Sequence, residues 1–297
     1  MTTTISVIIP TLNAGKMIGS LIERLQSQRR IPDEIIIVDS SSDDDTQEIV
    51  KRYPDVRLLV IDRSDFNHGG TRDYALRESI GDFVLFLTQD AMPATPDYIS
   101  QITEPFDDSR VAMVYGRQLP RPDARKAERL IREYSYSDTS MRITRADIPR
   151  LGIRAFHGTD VCAAYRRTAY LEVGGFENPV KTNEDMFITA RFLHAGWAVV
   201  YESNATVVHS HDFTFKQQYE RNYIQGYEIT KHADILGGAG LRGEGVSLVK
   251  YTVQGLLRQG DVIGLGRFLI DCGFRLMGNR SGARRARLEL KRQERGR

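Results

Sequence analysis

Six acidic or imidazole side chains in this sequence have the types and spacing that catalysis or metal binding requires. They are Asp39, Asp90, Glu184, Asp185, His209 and His211. Carboxylates bind hard cations and act as general bases, and imidazole is a ligand that Mn²⁺ accepts more readily than Mg²⁺ does. These side chains can perform joint chemistry only if the fold brings them to one place.

The two isolated aspartates each follow an apolar run that has the character of a buried strand. Asp39 ends the run Glu34-Ile35-Ile36-Ile37-Val38, and Asp90 comes shortly after the apolar residues 83–87. In an open sheet of parallel strands, ligands bind in the crevice outside the carboxyl ends of the strands. The sequence therefore predicts that Asp39 and Asp90 lie at the ligand-binding edge of such a sheet.

Strand-like and helix-like patterns alternate through the first half of the chain. Strands are predicted over residues 5–9, 35–38, 57–61, 83–87 and 112–115, and helices over 18–25, 46–52 and 71–79. This alternation predicts an α/β fold with a mostly parallel sheet and helices on both of its faces. Residues 123–146 are polar, and we expect them to be helical and to form an insertion over the edge of the sheet.

The acidic pair Glu184-Asp185 precedes an apolar-periodic helix predicted over residues 186–193. Acidic residues in a first helical turn often do no more than complement the helix dipole. Two adjacent acids that face a second acidic cluster would exceed what capping requires. Both interpretations remain open at this point.

Composition limits the class of protein. The chain has 297 residues, enough for a full core, and its two cysteines, Cys162 and Cys272, lie far apart. They support neither a disulfide framework nor a cysteine zinc site, so we expect a reducing cytosol. The first residues run directly into a strand pattern without the features of an export signal.

The C-terminal part combines apolar and basic residues. Residues 280–297 contain eight Lys or Arg and two Glu, a local charge of +6, and the apolar residues 262–277 before them are interrupted by charges. The segment is too broken to span a bilayer. It could lie in a membrane interface, or pack as a helix that ends in a frayed solvated tail; a nucleic-acid arm is a weaker option without interleaved aromatics.

Several motifs resemble known enzymes. The sequence resembles family 2 glycosyltransferases of the GT-A fold over residues 5–212, through Val7-Ile8-Ile9-Pro10-Thr11-Leu12-Asn13, Val38-Asp39-Ser40-Ser41-Ser42-Asp43, Gly174-Gly175-Phe176 and Asn183-Glu184-Asp185. More narrowly it is similar to a rhamnosyltransferase branch that uses dTDP-L-rhamnose, through Asp65-Phe66-Asn67-His68-Gly69-Gly70-Thr71-Arg72, Thr88-Gln89-Asp90-Ala91 and the segment from His209 to Gln218.

The resemblance implies a sugar-nucleotide donor and a divalent cation, Mg²⁺ or Mn²⁺. Asp90 would be a cation ligand, with His211 favoured over His209 as the second ligand. Where the family usually has Asp-x-Asp, this chain has Thr88-Gln89-Asp90, a variant that the rhamnosyl branch commonly carries. A cation would stabilise the charge that grows on the pyrophosphate leaving group.

The resemblance also implies a set of donor-binding residues. These are Thr11, Asn13, Asp39, His68, Arg72, Gln89, Lys216 and Arg221. Asp39 would accept a hydrogen bond from the N3–H of uracil or thymine, so it does not choose between UDP and dTDP. Turn chemistry is an equal explanation for Asn13, and plain solvation is the ordinary one for Lys216 and Arg221.

Asp185 is the expected catalytic base, with Glu184 orienting an acceptor hydroxyl or supporting the loop. The predicted protein is an inverting glycosyltransferase of the cytoplasm, at or near the inner face of the membrane, with a GT-A domain over residues 1–230 and a helical extension with a basic tail over 231–297. It would transfer L-rhamnose from dTDP-L-rhamnose to a glycan or lipid-linked acceptor of the cell envelope. Peripheral membrane contact would use residues 262–297, and no nucleic-acid partner is expected.

Other functions remain as alternatives. A UDP-hexose transferase of the same fold is the nearest, followed by a non-catalytic protein that binds sugar nucleotides or carbohydrate. Gly69-Gly70-Thr71-Arg72 is similar to the glycine-rich loop of sugar nucleotidyltransferases but comes some sixty residues too late in the chain. A dinucleotide oxidoreductase is disfavoured because no Gly-x-Gly-x-x-Gly follows the first strand.

Overall fold

The computed structural model describes residues 3–237 and 244–295. Its strands are β1 Ile5–Thr11, β2 Glu34–Asp39, β3 Val56–Val60, β4 Phe83–Leu87, β5 Met92–Pro93, β6 Val111–Leu119, β7 Met141–Ile143, β8 Cys162–Arg166 and β9 Ala198–Val208. Its helices are α1 Ile18–Gln26, α2 Thr46–Val50, α3 His68–Glu78, α4 Tyr98–Thr103, α5 Lys126–Ser135, α6 Ile148–Leu151, α7 Arg167–Glu172, α8 Glu184–His194, α9 Phe215–Lys231, α10 Glu244–Arg258 and α11 Val262–Arg295.

The chain forms two compact units. The first comprises Met1–Leu119, Ser137–Pro179 and Glu184–His209, and the second comprises Pro120–Tyr136, Val180–Asn183 and Ser210–Arg297. The first unit holds all nine strands, and the second holds α5, α9, α10 and α11. The predicted division of the chain into 1–230 and 231–297 has other bounds than these compact units, and it stays a prediction.

The sheet of the first unit is mixed, with a parallel half. Its strand order is β3-β2-β1-β4-β8-β6-β9-β5, and β7 pairs with β9. Strands β3, β2, β1 and β4 are parallel, whereas β8 runs antiparallel to both β4 and β6. The predicted α/β fold with a mostly parallel, mixed sheet and flanking helices is confirmed.

The apolar periodicity of the first helix and strands produces the core of this unit. The residues Ile18, Leu21, Ile22 and Leu25 of α1 lie three or four positions apart and are fully buried. They pack in one cluster with side chains of β1, β2 and β4. The register aligns Thr11 with Asp39, so the ends of β1 and β2 meet at one edge of the sheet. This edge carries the loops in which the functional residues were expected.

Two local predictions were inaccurate. Helix α3 begins at His68 rather than residue 71 because the side chain of Asn67 accepts hydrogen bonds from the backbone N–H groups of Gly69 and Gly70. Residues 123–146 are only partly helical: helix α5 ends at Ser135, and Met141–Ile143 is a strand that pairs with β9. A three-residue strand is too short to produce a periodic signal, and its pairing partner lies about sixty residues away in the sequence.

Helix α11 is continuous from Val262 to Arg295, so the alternative of a frayed tail after residue 280 does not hold over the described part of the chain. It packs against α9 at glycines. A Cβ atom built on Gly282 would lie 1.9 Å from the backbone oxygen of Tyr223, and one built on Gly278 would lie 2.3 Å from that of Tyr219. Only residues without a side chain allow the two backbones to approach this closely. Among the described helices, none is long and apolar enough to cross a membrane.

The close crossing predicts opposite effects for the same substitution at two glycines of α11. Gly282→Ala should lower the free energy of unfolding by about 1–3 kcal/mol, because the new methyl group displaces the backbone of α9. Gly273→Ala should raise it by up to about 1 kcal/mol, because nothing lies within 4 Å of the added Cβ and alanine favours the helix. Urea unfolding followed by circular dichroism would measure both. Equal effects of the two substitutions would contradict the tight packing of α9 on α11.

Candidate active site

Asp39, at the end of β2, is fully buried and already holds four protein donors. Its Oδ1 accepts from the backbone N–H of Ser42 at 2.9 Å and from the side-chain amide of Gln47 at 2.7 Å. Its Oδ2 lies 2.5 Å from the hydroxyl of Ser42 and 3.2 Å from that of Thr11. A carboxylate has about four acceptor positions. A base N–H that reaches Asp39 therefore has to displace one of these donors.

The loops after β1 and β4 are joined by side-chain amides. Gln89 accepts from the backbone N–H of Leu12 at 2.8 Å and donates to its carbonyl at 3.2 Å. Asn13 has a positive φ of 53° and accepts from the backbone N–H of Asp43 at 2.9 Å. In the structure, Gln89 and Asn13 thus both fix the loops at the edge of the sheet to which Asp39 belongs.

Asp90 lies beside His209, which follows the end of β9. A carboxylate oxygen of Asp90 is 3.5 Å from Nε2 of His209, and both side chains have the placement expected of a metal-binding group. On the other side of the ring, Nδ1 lies 2.9 Å from Oε1 of Gln118, whose amide nitrogen donates to Thr159 at 3.0 Å. This amide orientation makes Nδ1 the donor and directs Nε2 toward Asp90.

The remaining predicted ligand, His211, belongs to the second unit. Strand β9 ends at Val208, so neither His209 nor His211 lies on it. His211 lines a cavity of about 260 Å³ within the second unit, together with residues of α5 and α11. Its ring lies 4.9 Å from that of Phe213.

Two predicted donor-binding cations, Lys216 and Arg221, also belong to the second unit. Lys216 is strongly exposed and lies 3.8 Å from Glu220, whereas the guanidinium of Arg221 lies 4.4 Å above the ring of Phe213. Burial lowers the pKa of the Arg221 guanidinium. Their roles in donor binding stay predictions.

The predicted residues Arg72 and Glu184 form part of a buried charged cluster. The guanidinium of Arg72 donates to Glu184 at 3.2 Å, and its Nε lies 3.7 Å from a carboxylate oxygen of Asp160. Asp160 also accepts from the hydroxyl of Tyr165 at 2.6 Å. Asp185, next to Glu184 at the start of α8, is partly exposed and accepts from the N–H of Met186. Arg72 was expected at the donor, and the structure holds it against these carboxylates.

The cluster contains one guanidinium and three carboxyl groups, and the pKa values of Asp160 and Asp185 are raised. Burial raises the pKa of Asp160 to about 7, with Arg72 opposing the shift and Glu184 adding to it. Burial and the adjacent charges of Glu184 and Asp160 raise the pKa of Asp185 well above its ordinary value. A carboxyl group with a raised pKa is a stronger base once it has lost its proton.

His68 lies at the rim of this cluster. Its ring is half exposed, and Nδ1 lies 3.9 Å from Glu184. The backbone N–H groups of Gly69 and Gly70 at the start of α3 are already bonded to the side chain of Asn67. Of the predicted donor contacts on α3, the half-exposed imidazole of His68 is therefore the group that a ligand can reach directly.

Sequence reasoning did not identify Asp160 or Gln118. Asp160 precedes the apolar strand β8, and because β8 runs antiparallel to β4, its start lies at the edge where β4 ends. An acid directly before a strand was the available signal, but its meaning depended on the strand direction. Gln118 lies inside strand β6 and gave no signal, since its role comes from the hydrogen bond to His209.

Comparison with known sequences shows the family of the chain. The model of the family described as Glycosyl transferase family 2 matches residues 6–174. This chain belongs to glycosyl transferase family 2. The O-antigen chain rhamnosyltransferase RfbN of Salmonella typhimurium is 38% identical over 258 residues, which cover 86% of this chain and 82% of the relative. The O-antigen chain rhamnosyltransferase WbaN of Salmonella anatum is 39% identical and covers 85% and 81%.

Solved structures share the fold of this family 2 glycosyltransferase. A mannosyltransferase of Pyrobaculum calidifontis in complex with GDP-Man and Mn²⁺ has a TM-score of 0.65 at 17% identity, covering 96% of this chain and 87% of that one. Staphylococcus aureus TarS in complex with UDP-GlcNAc has a TM-score of 0.54 at 19% identity, covering 85% and 71%. At these identities the likeness shows the GT-A fold alone.

Two arginines on the same helix test the importance of the buried cluster. Arg72 is 5% exposed and faces Glu184 and Asp160, whereas Arg77 is 56% exposed and pairs with Asp73. Arg72→Met should lower the free energy of unfolding by about 3–5 kcal/mol, because it leaves buried carboxylates without their cation. Arg77→Met, the matched control, should lower it by less than about 1 kcal/mol.

The effect of Arg72→Met should also depend on pH. The folded protein holds a proton on Asp160 up to about pH 7, above its unfolded pKa, so its stability falls as the pH rises through that range. Without Arg72 the loss should be largest above about pH 7 and smaller near about pH 5. Urea unfolding at several pH values measures this. A loss that is equal for both variants or independent of pH would contradict the cluster's role.

Proposed function

We propose that this protein is an inverting glycosyltransferase that transfers L-rhamnose from dTDP-L-rhamnose to a glycan or lipid-linked acceptor of a cell-envelope polysaccharide. The observation that carries the proposal is the pair of relatives, both named as O-antigen rhamnosyltransferases, that match more than four fifths of the chain. The partly exposed carboxylate of Asp185 beside a buried charge cluster gives the proposed reaction a base.

The donor nucleotide is proposed to lie at the sheet edge that carries Asp39, Thr11, Asn13 and Gln89. Asp39 orders the loop after β2 through its bonds to Ser42 and Gln47. The base N–H would replace one of these donors. Uracil and thymine offer the same N–H, so this contact does not select dTDP over UDP.

A divalent cation fits the group around Asp90. Nδ1 of His209 is bonded to Gln118, and Nε2, which lies 3.5 Å from the carboxylate of Asp90, is the ring atom that would bind the cation. A metal-binding histidine usually donates its other ring N–H in this way. We propose that Asp90 and His209, with His211 two positions further along the chain, hold Mg²⁺ or Mn²⁺. When bound, the cation would stabilise the charge on the leaving pyrophosphate.

The acceptor hydroxyl is proposed to lose its proton to a carboxylate oxygen of Asp185. The acceptor oxygen forms the new bond to the anomeric carbon while the bond from that carbon to the nucleotide diphosphate breaks on the opposite face. Glu184 is paired with Arg72 and buried, so we assign it to holding the start of α8 rather than to proton transfer. Arg72 then acts through the carboxylates and is a positioning residue.

The proposed reaction takes place in the cytoplasm, where nucleotide sugars are made. The proposed division of labour assigns donor chemistry to residues 1–230 and the helical extension to residues 231–297. A UDP-hexose donor is the competing proposal, since TarS, which shares the fold, is solved in complex with UDP-GlcNAc.

Donor preference tests the proposal directly. Thermal unfolding in the presence of dTDP, UDP or GDP, each with and without Mn²⁺, should show the largest stabilisation with dTDP and Mn²⁺. At about 100 times Kd, a ligand that binds only the folded state adds about 2.7 kcal/mol. Asp90→Asn should remove the part of the shift that depends on Mn²⁺.

Nucleotide release should be faster from dTDP-L-rhamnose than from UDP-glucose; the reverse order would favour the UDP-hexose transferase.

Asp185→Asn should lower the rate of transfer by about a hundredfold to ten-thousandfold, the usual contribution of a general base, because it removes the proton acceptor at constant volume. The stabilisation by dTDP should be retained, which distinguishes lost chemistry from lost folding. Asp55→Asn, at an exposed position outside the site, is the control. Substantial transfer by the Asp185 variant would exclude this residue as the base.

A companion substitution, Asp160→Asn, keeps the base but removes a neighbouring negative charge. The charge of Asp160 helps to raise the pKa of Asp185. Without it, the acidic limb of the pH profile of kcat/KM should move to lower pH. If activity falls while the acidic limb of the pH profile stays at the same pH, Asp160 has a purely structural role.

A further inference from the structure

Helix α11 exposes apolar side chains along one face of its first half. The exposed apolar residues are Val262, Ile263, Leu269, Ile270, Leu276 and Met277. Three of them, Val262, Leu269 and Leu276, lie seven positions apart, and Gly266 and Gly273 fall between them on the same line. A Cβ added to either glycine would meet nothing within 4 Å, so no described part of the protein packs against the helix at these two positions.

The core of the second unit does not require this face. The opposite side of α11 contributes Phe268, which is buried in a cluster with Leu130 of α5 and Leu256 of α10, and Leu265 and Cys272 pack against that cluster. One apolar side of the helix is therefore satisfied by packing. The exposed side, which is at least as apolar, has no such role among the described residues.

The same line continues into a row of basic residues. After Leu276 the spacing of three or four positions leads to Arg280, Arg284, Arg287 and Lys291, all of them exposed. Their ammonium and guanidinium groups extend the apolar line by about three further turns of the helix. Within the described residues, no carboxylate forms an ion pair with these four side chains.

The acidic residues of α11 between residues 262 and 291 are directed away from this line. Asp271 is partly buried and accepts from Arg275 at 2.6 Å. Glu289 is partly buried and accepts from the hydroxyl of Tyr227 on α9 at 2.6 Å. From Val262 to Lys291 the exposed line therefore has an apolar half and a basic half with no negative charge in either, and the exposed Glu294 follows beyond its end. We call it the α11 face.

We propose that the α11 face rests on the surface of an anionic lipid bilayer. The apolar half would enter the interface between headgroups and acyl chains, and the basic half would contact the anionic headgroups. A bilayer surface offers both environments along one plane, which matches a continuous helix that changes from apolar to basic along its length.

A second copy of this chain and a nucleic acid complement the face less well. In a parallel helix pair, arginines would face arginines; in an antiparallel pair, the basic half of each copy would cover the apolar half of the other. A nucleic acid would leave the six apolar side chains in water. The proposal is independent of the sugar that the protein transfers, although a bilayer surface is where lipid-linked acceptors are found.

Sedimentation of the full-length protein with vesicles tests the proposal. The protein should bind vesicles that contain phosphatidylglycerol far more strongly than vesicles of phosphatidylcholine alone, and added salt should weaken the binding. Ile263→Ser should weaken it about tenfold, by analogy with the loss of one buried aliphatic side chain. Arg284→Glu combined with Arg287→Glu should weaken it by at least about twenty-fivefold, about fivefold for each charge removed.

Matched controls lie outside the face. Ile80, which is 66% exposed, corresponds to Ile263, which is 88% exposed, so Ile80→Ser tests for non-specific loss of apolar surface. Lys51→Glu combined with Arg52→Glu makes the same change in net charge as the arginine pair, at exposed positions of the first unit. Circular dichroism verifies that every variant is folded.

Three results would overturn the proposal: no binding to anionic vesicles, equal losses in the variants and their controls, or a dimer in solution that Ile263→Ser dissociates. The last result would assign the face to self-association. Nucleotide release from dTDP-L-rhamnose without vesicles should be unchanged in Ile263→Ser. A failure of membrane binding and a failure of the proposed transfer reaction are thus observed separately.

Discussion

The charge balance around Arg72 constrains the rest of the site. One guanidinium faces the carboxyl groups of Asp160, Glu184 and Asp185, so full ionisation would leave a net charge of −2 in a largely buried region. Uncompensated buried charge is costly, and the protein responds by holding protons on carboxyl groups that would ordinarily have lost them. Glu184 takes the direct bond to Arg72, and Asp185 is left as the partly exposed acid with a raised pKa.

The parallel half of the sheet gives this cluster its location. Strands β1, β2 and β4 end at one edge, and β8 begins there because it runs in the opposite direction. Asp160 therefore lies at this edge because β8, unlike the neighbouring strand β4, begins there instead of ending there. Side-chain amides then fix the loops: Gln89 holds Leu12, and Gln118 orients His209 toward Asp90. A sugar nucleotide would meet loops whose geometry is already set.

The second unit is stabilised by close packing between helices. Its two long helices, α9 and α11, approach so closely that glycine is required where their backbones meet. Helix α11 also buries Phe268 against α5 and α10, whereas its exposed face changes from apolar to basic residues along its length. Packing therefore explains one side of α11, and the proposed contact with an anionic bilayer surface would account for the other.

The sequence by itself determined the elements and much of the family assignment, because the periodicity of apolar residues and the ordered motifs are properties of neighbouring positions. The strand ends at or near Asp39 and Asp90 and the acidic start of α8 were predictable for this reason, as was a mostly parallel sheet. Only the tertiary structure decided which partners these residues have. The Arg72–Asp160 pair spans 88 positions in the chain. The pairing of His209 with Gln118 and the crossing of α9 with α11 likewise join distant segments, and no local pattern encodes which segments meet or in which direction a strand such as β8 runs.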